Sequence, residues 1–597
     1  HASKIQPMNR IDPRKKQAAL DVIHDRRALT HGGTGLPADV TDESHDPLQC
    51  FIDLFSDEDL ATEAEVVERS LEEHLQSHIV DGETRDLVSH LEAALATYTP
   101  LEIINDHLLA GMKTVGELFG SGQMQLPFVL QSAEVMKQAV GHLKAKMDRQ
   151  EGATKGHLVL ATVKGDVHDI GKNLVDIILT NNGWTVENIG IKRTIDEIAQ
   201  AWRRTGADAI GMSGLLVKSV MVMEENLAEL NALRIDVPVL LGGAALSRHY
   251  CESHLRELYN GSVYYGKDAF DGLRICDAIA EGREGSLDVE IDRRIASRVA
   301  AAARVEHMET SERDEGDVAT IEPGRSDVSN DVAIPTAPFF GSRVVDDVPL
   351  DRIYPFINTT ALFRGQWGFR RGQQSQGDFH RVLHEEAEPV FDRLKATLRN
   401  DGILQPALVY GWFPCGSDGE DLVVFDPADH AVEIERFSFP RQTKRRRLCI
   451  SDFFKSVDSG DRDVLGLSCV TMGERVSELA RELFERDEYT EYLYVHGMGV
   501  ECAEALAELW HQRMRQELGI VGDDSPHIKE LFQQKYRGSR YSFGYPACPD
   551  MVDQEKLFRL LRPDRIGCEL TENYQIDPEQ STSAIVVHHP EAKYFNV

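Results

Sequence analysis

Residues 157–171 read His157-Leu158-Val159-Leu160-Ala161-Thr162-Val163-Lys164-Gly165-Asp166-Val167-His168-Asp169-Ile170-Gly171. A short apolar run rich in β-branched residues is a strand signal, and the polar, glycine-bearing stretch after it is a turn. Residues 172–180 then take up helical spacing. Outward from this unit, short apolar runs recur at 184–191, 209–212, 237–241 and 263–265, with a helical stretch at 195–204. Five strands alternating with helices imply a parallel sheet covered on both faces, a Rossmann-like or flavodoxin-like α/β domain over 155–282.

In an open parallel sheet, ligands bind beyond the carboxyl ends of the strands. Residues 166–171 follow the first strand, Ser213-Gly214-Leu215 the third and Gly242-Gly243 the fourth, so topology alone brings them together. Between Gly171 and Ser213 lie 41 residues, and between Leu215 and Gly242 lie 26. A neutral imidazole such as that of His168 is a good ligand for a transition metal. Asp166, two residues away, can accept the other ring N–H and fix the tautomer. Taken alone, this turn reads equally well as a loop histidine among ordinary turn glycines; the three elements at these spacings point to a ligand site.

The flanks are different in kind. Residues 57–149 are helical throughout, in segments 60–79, 84–98, 101–119 and 126–147. Leu101, Ile104, Leu108, Met112, Val115 and Phe119 recur at three- and four-residue spacing, and the whole reads as a four-helix bundle. Residues 283–335 are acidic and poor in aromatics, which reads as a linker with a lone helix at 287–304. About 50 flexible residues would span roughly 40 Å, slack enough for large rearrangements. Residues 336–597 form a further globular, mixed α/β domain, whereas 1–50 are polar and do not make a complete domain.

Composition sets the outer bounds. A chain of 597 residues is too long for one core, and 42% apolar with 27% charged residues is ordinary for a globular protein. The net charge of −34 argues against a nucleic-acid partner; the basic cluster at 444–447 reads as a solvated turn or strand edge. Nine scattered cysteines without a CxxC pair fit reduced thiols in a cytoplasm. No apolar run approaches about 18 residues, so no membrane span is expected. There is no signal peptide, and the first residue is His1 rather than Met, which suggests a piece of something longer.

The DxHxxG, SxL and GG segments together resemble the cobalamin-binding domain of methyltransferases and mutases. The resemblance implies that His168 is the axial ligand to cobalt. It places Gly165, Asp166, Val167, Asp169 and Gly171 around the corrin, with Gly171 letting the backbone come close. Ser213, Gly242 and Gly243 would leave a slot for the dimethylbenzimidazole tail. In the bundle, Gly116-Glu117-Leu118-Phe119-Gly120-Ser121-Gly122 and Met124-Gln125-Leu126-Pro127 resemble the cap domain of the cobalamin-dependent methionine synthases. There Phe119 and Leu126 would cover the methyl group on cobalt, and Asn105 stands where some members carry an acid. The same likeness makes Ser219 the end of a His168–Asp166–Ser219 hydrogen-bond chain and puts Val217 and Ala269 along the nucleotide tail.

The stretch Arg540-Tyr541-Ser542-Phe543-Gly544-Tyr545-Pro546-Ala547-Cys548-Pro549 resembles the S-adenosylmethionine-binding segment of the activation domain in that family. Arg540 would take the ligand's carboxylate in a bidentate fork, with Ser542, Gly544, Tyr545, Glu504 and Tyr594 completing the site. Asn358 stands where well-known members carry an Asp that binds the ligand's amino group, keeping an acceptor and losing the charge. Singly, each of these reads as readily as a packing or surface residue.

The family likeness implies two cofactors, cobalamin as methylcobalamin and S-adenosylmethionine. It implies methyl transfer from 5-methyltetrahydrofolate through cobalt to homocysteine, with occasional reductive rescue of the oxidised cofactor. The rescue would use S-adenosylmethionine and an electron from a flavodoxin-like partner. Zinc would belong only to a missing N-terminal part, since no cysteine cluster here can hold it; residues 1–50 would be the tail of the folate-binding domain. The expected object is thus a methionine synthase fragment, a cytoplasmic monomer acting on small molecules, with no nucleic-acid or membrane partner. Its cap and activation domains would compete for one face of the corrin, with 283–335 supplying the slack. Two rivals stay open: a corrinoid carrier for another donor such as methanol or a methylamine, which leaves Arg540–Pro549 unexplained, and a non-catalytic cobalamin sensor, which should carry a basic helix-turn-helix.

Overall fold

The computed structural model describes residues 70–144, 146, 154–311, 325–346, 348–443 and 446–597. The expectations for 1–50, for the first helix before residue 70 and for Lys444-Arg445 lie outside the described residues.

The helical layer contains α1 (Leu71–Asp81), α2 (Leu87–Ala94), α3 (Leu109–Gly120) and α4 (Leu126–Lys144). A wider, π-helical turn, Ile103–Leu108, leads into α3. Its entry is fixed by a capping box at Thr99: Glu102 N–H donates to the Thr99 hydroxyl, and Thr99 N–H to the Glu102 carboxylate at 2.8 Å. Leu75, Ile79, Leu91, Leu108, Met112, Val115 and Met136 meet in one buried cluster, which is why the three- and four-residue spacing was visible in the chain.

The α/β layer has β1 (His157–Val163), β2 (Thr185–Arg193), β3 (Ala209–Ser213), β4 (Val239–Gly242) and β5 (Val263–Tyr265), in the order β2-β1-β3-β4-β5. All four pairings are parallel. Along β1, Val159, Ala161 and Val163 join one core and Leu158 and Leu160 the other, the period-two split of a strand buried on both faces. Helices α5 (Ile170–Asn181), α6 (Ile195–Thr205), α7 (Val217–Ala232) and α8 (Ala269–Ala280) cover the sheet. Because β1 has β2 on one side and β3 on the other, the chain leaves β1 and β3 toward opposite faces. The crevice at that switch point lies beside Asp166–Gly171 and Ser213–Leu215.

Next comes α9 (Glu284–Ser311), longer than the helix expected at 287–304. Its Leu287 and Ile291 are buried with Leu158 and Ile275, and Arg256 bonds Asp288 at 3.1 Å and Asp292 at 2.7 Å. At the far end of the same stretch, Arg325 donates to the carbonyls of Asp452 and Phe454, and Val328 is buried in the next core. An acidic composition hid two attached ends, because the few apolar residues that anchor α9 are four apart on one face.

The last unit is built on an antiparallel sheet, β11-β14-β10-β7-β8-β9 with β6 added on β7. Its strands are β6 (Gly341–Val345), β7 (Ala407–Asp418), β8 (Asp421–Phe425), β9 (Glu433–Ser438), β10 (Asp463–Thr471), β11 (Ser539–Tyr541) and β14 (Ser581–Val587); β12 (Glu569–Leu570) and β13 (Ile576–Asp577) pair separately. One core gathers Trp367, Trp412, Leu506 and Met514, the other Phe437, Phe453, Tyr541 and Ile585. Helix α10 (Arg475–Glu485) precedes α11 (Tyr489–Glu517), 29 residues long, and α12 (Asp553–Leu561) follows. The start of α11 also reaches the other layers: Tyr489 and Leu493 are buried with Leu130 and Ala133 of α4 and Ile177 of α5. Thr490 N–H donates to Glu134 at 2.7 Å and Asn173 Nδ2 to Tyr492 Oη at 2.9 Å. No helix among the described residues is long and apolar enough to cross a membrane.

Candidate functional site

At the carboxyl end of β1 the Asp166 carboxylate is fully buried and accepts four hydrogen bonds. Oδ1 takes His168 N–H at 3.0 Å and His168 Nδ1 at 2.8 Å; Oδ2 takes Leu215 N–H at 2.7 Å and Ser219 Oγ at 2.5 Å. Burial pushes this carboxyl up, but the His168 and Ser219 bonds outweigh it and hold it below the ordinary range. Burial likewise works against a charged His168, yet the Asp166 bond and then the nearby Glu579 raise it above the ordinary value. With Nδ1 given to Asp166, the ring nitrogen left for a metal is Nε2. One protein nitrogen suits a metal whose other positions are already filled, as in a corrin; it would be a poor site for a bare ion.

Beside it a cavity of about 400 Å³ lies between the carboxyl ends of the strands and the helices α5 and α8, lined by Gly171, Ser213, Gly242, Gly243 and Ala269 together with Leu174, Val175, Tyr265 and Lys267. Its floor is backbone against backbone. Gly243 has φ +143°, and a Cβ there would lie 1.7 Å from Gly214 O; a Cβ on Gly214 would lie 2.5 Å from Ser219 Cβ. A Cβ at Gly171 would meet nothing within 4 Å, so the protein's own packing does not require that glycine. The apolar wall and glycine floor are of a kind that takes a flat heterocycle, and the donor set and this cradle both fit cobalamin.

Other candidates lie elsewhere. Val217 is 68% exposed at the start of α7, and Asn105 is exposed on the π-helical turn. Phe119 stacks on Phe270 with ring centroids 5.0 Å apart, and Leu126 packs against Gly368 and near Ile170 and Leu174. Phe119 thus rests on α8 at the flank of the α/β layer, and Leu126 lies between α5 and the last unit. The loop bearing His168 is instead covered by the last unit. Thr571 Oγ1 donates to Gly165 O at 2.8 Å, Asn573 Nδ2 to Lys164 O, and Val167 N–H to Gln575 Oε1 at 3.0 Å. A Cβ on Gly165, at φ +75°, would lie 2.4 Å from Asn573 Cγ. Tyr492 Oη donates to Asp169 at 3.1 Å, and His496 Nε2 lies 3.2 Å from Glu579.

A second cavity, about 370 Å³, opens in the last unit. Asn358, Glu504, Arg540, Ser542, Tyr545 and Tyr594, far apart in sequence, all line it. Arg540 pairs with Glu504 at 2.9 Å and Glu508 at 3.4 Å; burial opposes its charge, and the two carboxylates more than restore it. Asn358 Oδ1 accepts from the N–H groups of Thr360 and Ala361, each at 3.2 Å, capping the turn that follows. Gly544, at φ +87°, shapes the turn behind the cavity through its N–H to Cys548 O at 2.9 Å. Sequence reasoning missed Glu501, Glu508, Gln534 and Tyr536, which also line it. The first two stand three before and four after Glu504 on α11, a helical spacing that could have flagged them.

Three stretches match known domain families: residues 71–144 and 156–274 each match a B12 binding domain, and 349–597 match the activation domain of vitamin B12 dependent methionine synthase. The chain belongs to the B12-dependent methionine synthase family. It carries the family's cap, B12-binding and activation domains. The methionine synthase of Mycobacterium tuberculosis is 48% identical over 624 residues, covering 100% of this chain and 51% of that protein. That of Mycobacterium leprae is 45% identical over 631 residues, covering 100% and 51%. The chain therefore spans about half the length of the curated methionine synthases it matches. Among solved structures, the MetH reactivation domain bound to AdoHcy is 26% identical, covering 44% of this chain and 83% of that one with a TM-score of 0.41.

Proposed function

We propose that this chain is the cobalamin-carrying and reductively reactivated portion of a methionine synthase that moves a methyl group from 5-methyltetrahydrofolate to homocysteine. In this reading His168 binds cobalt through Nε2. The observation that carries it is the Asp166 carboxylate, which joins His168 to Ser219 and to the backbone of the β3 loop. The domain limits we adopt are 57–149 for the cap, 155–282 for the cobalamin domain and 336–597 for the activation domain.

Cobalamin, when bound, supplies a cobalt centre that accepts and gives up a methyl group. The chain's own residues do the rest. Asp166 fixes the tautomer of His168 and aims Nε2; the bonds from His168 and then Ser219 hold the carboxylate ionised despite burial. Gly243 lets the backbone at the cavity that would take the nucleotide tail close onto Gly214, and Gly214 lets Ser219 come close to Asp166. Arg540, Glu504 and Tyr545 would bind S-adenosylmethionine in the second cavity. The contacts of Thr571, Asn573 and Gln575 with the β1 loop support reactivation by direct approach of that domain to the corrin. Phe119 and Leu126 would cover the metal when the activation domain withdraws, a two-state exchange of domains. A flavodoxin-like donor in the cytoplasm would supply the electron.

The corrinoid-carrier alternative accounts for the first cavity and gives no role to the second. The test is the visible absorption spectrum of the purified protein before and after His168→Gly. A coloured protein whose spectrum shifts to the ligand-off form on substitution supports the reading; a spectrum that does not move overturns His168 as the ligand. Addition of S-adenosylmethionine and a reductant should then methylate the cofactor, which a carrier or sensor would not do.

A further inference from the structure

The S-adenosylmethionine reading above leaves one buried charge without an explanation. Three carboxylates, Glu501, Glu504 and Glu508, line the second cavity with a single guanidinium, Arg540. Arg540 is shared between Glu504 and Glu508. Glu501, one turn earlier on α11 and only 7% exposed, has the neutral Gln366 as its hydrogen-bond partner. Among the described residues no cation is paired with it. A carboxylate in that position is costly to ionise unless a cation arrives. Burial, and then repulsion from Glu504, push its carboxyl up to about 7.

Across the cavity, Asn358 cannot take that cation. Its carbonyl oxygen is already committed to the N–H groups of Thr360 and Ala361. What remains of its amide is a donor, which an ammonium group does not seek. Arg540 has N–H groups beyond those given to Glu504 and Glu508 and so can still hold a carboxylate. The cavity then has a place for the negative end of an amino acid, and among the described residues that line it the one carboxylate whose charge is not already paired with Arg540 is Glu501.

We propose that Glu501 is the ammonium-binding residue of this cavity, the charge that pairs with the α-amino group of S-adenosylmethionine in place of position 358. The three-to-one excess of carboxylates also favours a ligand with a net positive charge, which the sulfonium provides.

Isothermal titration of the full chain tests this with two probes that are both neutral at sulfur, S-adenosylhomocysteine, which keeps the amino-acid end, and 5′-methylthioadenosine, which keeps the nucleoside and lacks that end. Glu501→Gln should weaken S-adenosylhomocysteine by about tenfold or more, the usual size for loss of a charge-assisted bond, and leave 5′-methylthioadenosine unchanged. Adding Asn358→Asp to that variant should recover most of the affinity. The ligand-free Glu501→Gln protein should melt at the same temperature or higher, because a buried uncompensated charge has gone. Equal loss for both probes, no loss for either, or a lower melting temperature would overturn the proposal. Should the unsubstituted chain bind neither probe, it is the reading of the cavity itself that fails.

Discussion

Ser219 Oγ stands 2.5 Å from the Asp166 carboxylate, whose other oxygen holds His168 Nδ1 at 2.8 Å. A hydroxyl on α7 therefore acts on an imidazole at the end of β1 through one buried group. If that group aims the ring, Asp166→Asn should leave the fold and corrinoid binding in place while lowering the ligand-on fraction. Partners of metal-bound histidines are typically worth tenfold to a hundredfold. Ser219→Ala should act in the same direction and less strongly. The check is the visible spectrum at fixed pH; equal ligand-on fractions in all three proteins would mean that Asp166 does not orient the ring.

Gly243 makes a sharper case. Its Cβ would lie 1.7 Å from Gly214 O, a backbone atom that cannot step aside, and its φ of +143° is open chiefly to glycine. Gly243→Ala should therefore close the first cavity or pull β3 and β4 apart locally. The expected outcome is protein purified without corrinoid that still binds S-adenosylmethionine in its last unit. Full corrinoid content in that variant would show that the cavity is not where the cofactor's tail goes.

The contact between the last unit and the β1 loop is polar and narrow. Thr571 and Gln575 each contribute one hydrogen bond to backbone atoms of Gly165 and Val167. Such bonds are worth about 1 kcal/mol each. Replacing both side chains by alanine should thus shift the exchange between domain arrangements by about 2 kcal/mol. Small-angle scattering should show a larger radius of gyration, and S-adenosylmethionine-dependent remethylation should slow while ligand binding persists. Unchanged scattering would leave the packing of α11 on α4 and α5 as the contact that matters.

How much of this could be read in the chain follows from the range of each signal. The parallel sheet was legible because β1 is an uninterrupted apolar run and the turns after β1, β3 and β4 carry glycine. The His168 turn and the Arg540 stretch were legible because each is contiguous. Glu579 and His496, beside His168, were not, since only the docking of two domains brings them there. The attachment of α9 was hidden because Leu287 and Ile291 are two apolar residues in an acidic background. Val217 and Asn105 came from likeness alone, and nothing in their own surroundings marks them as site residues here.

A last expectation concerns stability and its pH dependence. At the start of β10 the buried Asp463 carboxylate lies 2.6 Å from His588 Nε2, both side chains almost wholly enclosed, and also accepts from Lys455 N–H and Val464 N–H at 2.8 Å each. Burial pushes this carboxyl up, but the His588 bond and the backbone donors prevail and hold it below the ordinary range. A carboxyl lowered on folding stabilises the native state above its unfolded pKa, and that contribution is lost as pH falls through the folded value. Asp463→Asn should accordingly cost about 3–5 kcal/mol near neutrality, the usual penalty for breaking a buried pair. The gap from the unsubstituted protein should hold down to about pH 4 and narrow below it. Calorimetry of the last unit's unfolding transition across that range is the measurement. A gap that stays constant to pH 3, or widens there, would mean that Asp463 is already protonated in the folded protein and that neutral hydrogen bonds hold this corner of the sheet.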